Sequence, residues 1–244
     1  NLSAQLPIDP ATGALVAGGA KEQAAQCLTN IKAILESIGH AMDDVVRITV
    51  FLKDLSDLDA VNEVYPTFFP GYLPARSVVP VADLPLGALV QIEAVVSHGD
   101  GTPPQPPEDA AKLVIEPHNT DTAPQDPFST QTVAFSHYNH ISAQLPLDAS
   151  GALVAGDAKE QAAQCLANVK AIVESVDHVM DDVVRVNYYL TNLADADAVG
   201  EAHTAAFPGY KPAGRIVGVS ALPGGALVQV DAVVSNAEGT PPQA

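Results

Sequence analysis

Cationic side chains are scarce in this chain, so each arginine carries information. Eleven Lys and Arg stand against twenty-nine Asp and Glu in 244 residues, a formal net charge of -18. An arginine set inside an apolar extended segment must answer to a partner or a ligand, because an unpaired buried guanidinium is costly. Arg76, in ARSVVPVADL, is such a residue; it can hold an anion or pair with an acid across an interface. Glu93, in GALVQIEAVVS, reads either as a proton-handling group or as a polar residue on a wet sheet face. Ser3 and Ser142 each open a repeated SAQLP and could cap turns, and Asn62 could bond local backbone. Cys27 and Cys165 sit at equivalent apolar helix positions and read as core. The seven histidines form neither HxxxH nor a Cys-His set, so no metal site is expected. No Walker loop and no GxGxxG after a strand is present, which leaves no phosphate cradle. The acidic balance repels a polyphosphate, so nucleic acid is not an expected partner.

These residues must be positioned by a duplicated scaffold. Gly13 to Ser97 aligns without a gap on Gly151 to Ser235, with more than half of the positions identical. GALVAGGAKEQAAQCLTN and GALVAGDAKEQAAQCLAN show the tandem copies plainly. Between them, roughly Gly99 to Asp126 is rich in Pro, Asp and Gln and reads as a linker, with KLVI at Lys112 to Ile115 as a short edge strand. The chain therefore divides into repeat one at 1–98, a linker at 99–111 and repeat two at 112–244. Copy two begins with PFSTQTVAFSHYNHI, which predicts a strand, a tight turn near Asn139 and a second strand; copy one lacks this first strand.

Within a copy, Lys21 to Ile38 places Ala24, Cys27, Leu28, Ile31, Ile34, Leu35 and Ile38 on one helical face. Asp44 to Asp54 has strand composition, Asp57 to Phe69 predicts a second helix that Pro66 kinks or shortens, and Arg76 to Leu84 and Ala88 to Ser97 are extended. Ala88, Val90, Ile92, Ala94 and Val96 share one face of the last strand, and Leu89, Gln91, Glu93 and Val95 the other. The order β-β-α-β-α-β-β gives an α+β fold, a mixed sheet with two helices on one face in each copy. The opposite face needs a cover, so association through it is expected. No apolar run of roughly 18 residues and no charged leader appear, so neither a membrane span nor a signal peptide is expected, and the expected location is cytoplasmic.

SAQLPIDPATGALV, DDVVRITVFLKD, DAVNEVYPTFF and above all LPARSVVPVADLPLGALVQIEAVVS resemble the RidA family of reactive-intermediate imine deaminases, also known as YjgF or endoribonuclease L-PSP proteins. The resemblance implies two tandem chorismate-mutase-like domains, trimeric or pseudo-trimeric assembly, and sites in clefts between neighbouring domains. It implies hydrolysis of enamine and imine carboxylates to 2-keto acids and ammonia without a metal or organic cofactor. Arg76 then holds the carboxylate and Glu93 positions water or a proton, while Ser3, Asn62, Ser142 and Phe128 bind substrate; Phe128 stands where the family has a tyrosine. Copy two has Gly214, Gly200 and Asp231 for Arg76, Asn62 and Glu93, so it lacks its own clamp. A relative that binds a small carboxylate without turnover, and a ribonuclease, are the alternative functions.

Overall fold

A computed structural model describes residues 1–97, 115–135 and 137–236. In the first half β1 (Leu2–Gln5), α1 (Ala20–Ser37), β2 (Val45–Leu52), α2 (Leu58–Val64), β3 (Ala75–Pro80) and β4 (Val90–Val96) follow in order. The second half has β5 (Glu116–His118), β6 (Thr132–Phe135), β7 (Tyr138–Gln144), α3 (Ala158–Glu174), β8 (Val183–Leu190), α4 (Ala196–Ala206), β9 (Ala213–Gly218) and β10 (Val228–Ser235). The sheets run β1-β4-β2-β3 and β5-β6-β7-β10-β8-β9. β2 and β3 pair in parallel across the α2 crossover, as do β8 and β9 across α4, while the other pairs are antiparallel. This is the expected α+β architecture, twice.

The apolar spacing explains each core. α1 buries Ala24, Cys27, Leu28, Ile31 and Leu35 against Ile48, Val50 and Ile92 of its sheet, and α3 does the same with Cys165, Leu166, Val169 and Ile172. Each large side chain so buried contributes about 1.5 to 3 kcal/mol. Ile38 does not join that face: it follows the last helical residue and is 61% exposed. Pro66 lacks an amide proton, so α2 stops at Val64 and the chain tightens into a single 3-10 turn over Tyr65–Phe68.

One expectation needs correction. The hairpin turn falls between Phe135 and Tyr138, and Asn139 lies inside β7, buried opposite Ala134, because the alternating pattern runs further back than its turn-forming side chain suggests. Glu116–His118 forms an edge strand next to β6, just after KLVI, of which Lys112, Leu113 and Val114 lie outside the described residues. The stretch 115–126 is thus no spacer: Ile115 and Ala123 pack on apolar clusters.

The helix-free faces of the two sheets cover each other. Val46, Ala75 and Val133 form one apolar seam with Phe135 and Val95, and Val79, Tyr189, Val219, Leu222 and Ala226 form a second. Polar groups lock the seam. Thr130 N donates to Pro74 O at 3.4 Å and Gln229 Nε2 to Val78 O at 3.0 Å. The deepest lock is Asp231, which accepts from Arg47 Nη2 at 2.7 Å, Ser77 Oγ at 2.9 Å, Tyr189 Oη at 2.9 Å and Asn187 Nδ2. Burial alone would raise this carboxyl; Arg47 and the three other donors hold it below the ordinary carboxylate value.

Candidate functional site

Where β3 of the first half meets β7 of the second, a cavity of about 250 Å³ opens. Arg76, the second residue of β3, pairs with Ile48 in the sheet and so points to the helix side, toward α2. Its Nη1 donates to Asn62 Oδ1 at 2.7 Å and its Nη2 to Asp126 Oδ2 at 3.2 Å. The guanidinium carbon lies 5.0 Å from the Tyr65 ring centre and 5.5 Å from that of Phe128. Two aromatic faces and an amide therefore fix a cation whose side chain is only 4% exposed. Burial pushes the Tyr65 phenol above its ordinary value, and its oxygen makes no hydrogen bond within the described residues.

The second half supplies the other wall through Phe128, Ser142, Gln144, Leu145 and Gln229. Ser142 is already engaged: its Oγ donates to Thr130 O at 2.6 Å and accepts the Arg76 amide at 2.8 Å. It can receive one further bond but has no proton left to give. Ser142 therefore ties the two halves together at the residue that carries the clamp.

Four of the six residues expected at the site, Arg76, Asn62, Ser142 and Phe128, line this cavity together. Ser3 does not; it lies exposed on the edge strand β1, its carbonyl accepting from Gln5 Nε2. Glu93 does not either. The register aligns Glu93 with Thr49 and Ser77, one step from the Arg76 row, and a step of one along a strand reverses the face. Glu93 lines a second space of about 690 Å³ between the sheets, with Arg47, His140, Arg185 and Arg215. All four arginines of the chain thus sit at one or other cavity of the seam, in a protein whose formal net charge is -18.

Asp126 and Gln229 are among the lining residues that the sequence did not single out. Asp126 ends the stretch read as linker, and its carboxylate accepts from Phe128 N at 3.0 Å and Ser129 Oγ at 3.1 Å, an Asx turn whose D-P-F-S pattern was the available signal. Gln229 stands one alternation before Asp231 on β10, so the strand sends it toward β3 as well. Among the described residues, Arg76 and Asp126 are the charged side chains of this cavity, and no group of three His, Cys, Asp or Glu is placed to hold a metal. The equivalent surface of copy two has Gly214 and Gly200, so neither clamp nor amide is present there.

Two copies of one mixed-sheet fold in a single chain define a tandem protein, and its class follows from the match: the endoribonuclease L-PSP family model covers residues 1–98 and again 119–236, so the chain belongs to that family as a tandem RidA-family protein. Over 94 residues it is 48% identical to a RutC family protein of Pyrococcus horikoshii, covering 38% of this chain and 75% of that one. Over 98 residues it is 46% identical to the mouse 2-iminobutanoate/2-iminopropanoate deaminase, covering 40% of this chain and 73% of the relative. Of solved structures, RidA from an Antarctic Psychrobacter is 33% identical with a TM-score of 0.48, covering 50% of this chain and 99% of that one. No helix of the described residues is long and apolar enough to cross a membrane.

Proposed function

We propose that the chain hydrolyses small enamine or imine carboxylates to 2-keto acids and ammonia in the Arg76 cavity. The observation that carries this reading is a buried, aromatic-stacked guanidinium that still borders about 250 Å³ of open space. Two of its N-H groups are engaged by Asn62 and Asp126, and among the described residues no further side-chain partner takes the others, which can grip a carboxylate. Water adds to the C=N carbon, and the carbinolamine expels ammonia to leave C=O. Such carbons are reactive enough that holding the substrate still, with modest proton transfer, supplies the needed acceleration. Relatives carrying the deaminase name support the assignment. Glu93 has no part in it, because it faces the other space. The free surface of β9, with Ile216 42% exposed, suits a further domain of this fold, so a homo-oligomer or pseudo-trimer is the proposed assembly.

The test is ammonia or keto-acid release from freshly generated 2-aminoacrylate. Arg76→Ala should lower kcat/KM by about 100-fold, the worth of a charged bidentate contact. Wild type no faster than the variant would sink the reading. A second reading, binding without turnover, is favoured by one observation: among the described residues the sole carboxylate lining the cavity is already hydrogen-bonded to the clamp. Tight keto-acid binding with no ammonia release would select it.

A further inference from the structure

We propose that this cavity selects ligands bearing a positive nitrogen beside their carboxylate, and that Asp126 is the group that recognises the nitrogen. The inference rests on the deaminase reading for the identity of the nitrogen compound, an iminium carboxylate; its electrostatic core does not. Arg76 Nη2 and Asp126 Oδ2 lie 3.2 Å apart on one wall, so the cavity presents a cation and an anion on the scale that separates the two charges of an α-imino acid.

Neither charge depends on the other for its place. Asp126 is pinned by Phe128 N and Ser129 Oγ within its own loop, whereas Arg76 is pinned by Asn62 and by the rings of Tyr65 and Phe128. A ligand can therefore replace the internal pair without dismantling either anchor. Exposure sets its direction: the Arg76 side chain is 4% exposed and that of Asp126 is 46%, so the carboxylate goes in first and the nitrogen stays toward the mouth. An iminium carboxylate exchanges one ion pair for two. A keto acid, with an anionic end only, must compete with Asp126 for Arg76 and gains nothing from Asp126 in return. Loss of the nitrogen during hydrolysis thus converts a complementary ligand into a repelled one, and Asp126 speeds its departure.

The test uses two ligands of one shape. Pyrroline-2-carboxylate is a cyclic imine that releases no ammonia and is protonated in mildly acidic buffer; cyclopentene-1-carboxylate is its carbon analogue. Calorimetric titration should show wild type binding the cyclic iminium about tenfold more tightly than the carbon analogue. Asp126→Asn should weaken the iminium by about tenfold and tighten the carbon analogue, while Asp126→Glu keeps the wild-type order. Equal shifts for both ligands in Asp126→Asn, or a wild-type preference for the carbon analogue, would overturn the proposal; should that variant not fold, the wild-type order decides alone. If wild type shows the preference but does not accelerate 2-aminoacrylate hydrolysis, the deaminase reading fails and the charge selection stands.

Discussion

The strands β3 and β9 occupy the same place in the two repeats, yet their surroundings differ completely. All six residues of β3 are buried, because β7 and the loop at Thr130 lie over them; β9 is mostly exposed. An arginine on β3 is enclosed by rings and amide, whereas the matching Gly214 has open neighbours apart from Val186 O, 3.3 Å from where a Cβ would sit. The same contrast divides Glu93 from Asp231. Their positions are equivalent, but Glu93 borders a wide cavity and Asp231 is fully enclosed by four donors. A residue's role in this molecule is set by which domain packs over it, and the repeats differ mainly in whether anything does.

The sharpest way to break this comparison is to truncate both acids. Asp231→Ala removes the buried ion-pair partner of Arg47 and should cost about 3 to 5 kcal/mol in urea unfolding, while Glu93→Ala should cost clearly less, about 0.5 kcal/mol. Equal losses would mean that burial by the neighbour is not what separates the two positions.

Acid should strike the seam next. His140 lies at the same cavity as Arg47, and burial, then the guanidinium, pushes its pKa from an ordinary 6.5 to about 4. The unfolded chain therefore binds more protons between these values. Stability from this group is complete above about pH 6.5 and is lost as pH falls toward 4, by about 3 kcal/mol in all. Asp231, held below its ordinary value, loses its own contribution only at lower pH. Urea midpoints measured from pH 7 to 4 should fall in wild type and be flatter in His140→Gln; parallel curves would show that the imidazole is not responsible.

The smallest expected effect is the most informative about β9. Installing the missing groups, Gly200→Asn with Gly214→Arg, should leave the stoichiometry of cyclic iminium binding at one per chain, because no described segment of the chain supplies a Phe128-like wall over β9. Two per chain in calorimetry would show that another chain supplies it.

Much of this was legible in the sequence. The duplication, the helix faces and the strands follow from apolar spacing; the motif in LPARSVVPVADLP points to Arg76, and the family resemblance of DAVNEVYPTFF, SAQLP and PFSTQ points to Asn62, Ser142 and Phe128. What was not legible depended on pairing. Glu93 belongs to the Thr49 and Ser77 row, which only the register of three adjacent strands reveals. Asp126 sits in a Pro-rich stretch whose composition resembles a spacer, although its turn is held by the site itself. The cysteines were read correctly as core: both are buried, and burial pushes the Cys27 thiol up to about 12.

Ser142 accepts the main-chain amide of Arg76, so the hand that grips and the palm that closes come from different gene duplicates. The first repeat carries the arginine without the wall that closes on it, and the second carries the wall with a glycine at Gly214 in the arginine's place. Any shift of the loop at Thr130 is therefore passed through Ser142 to the backbone of the arginine in the other half.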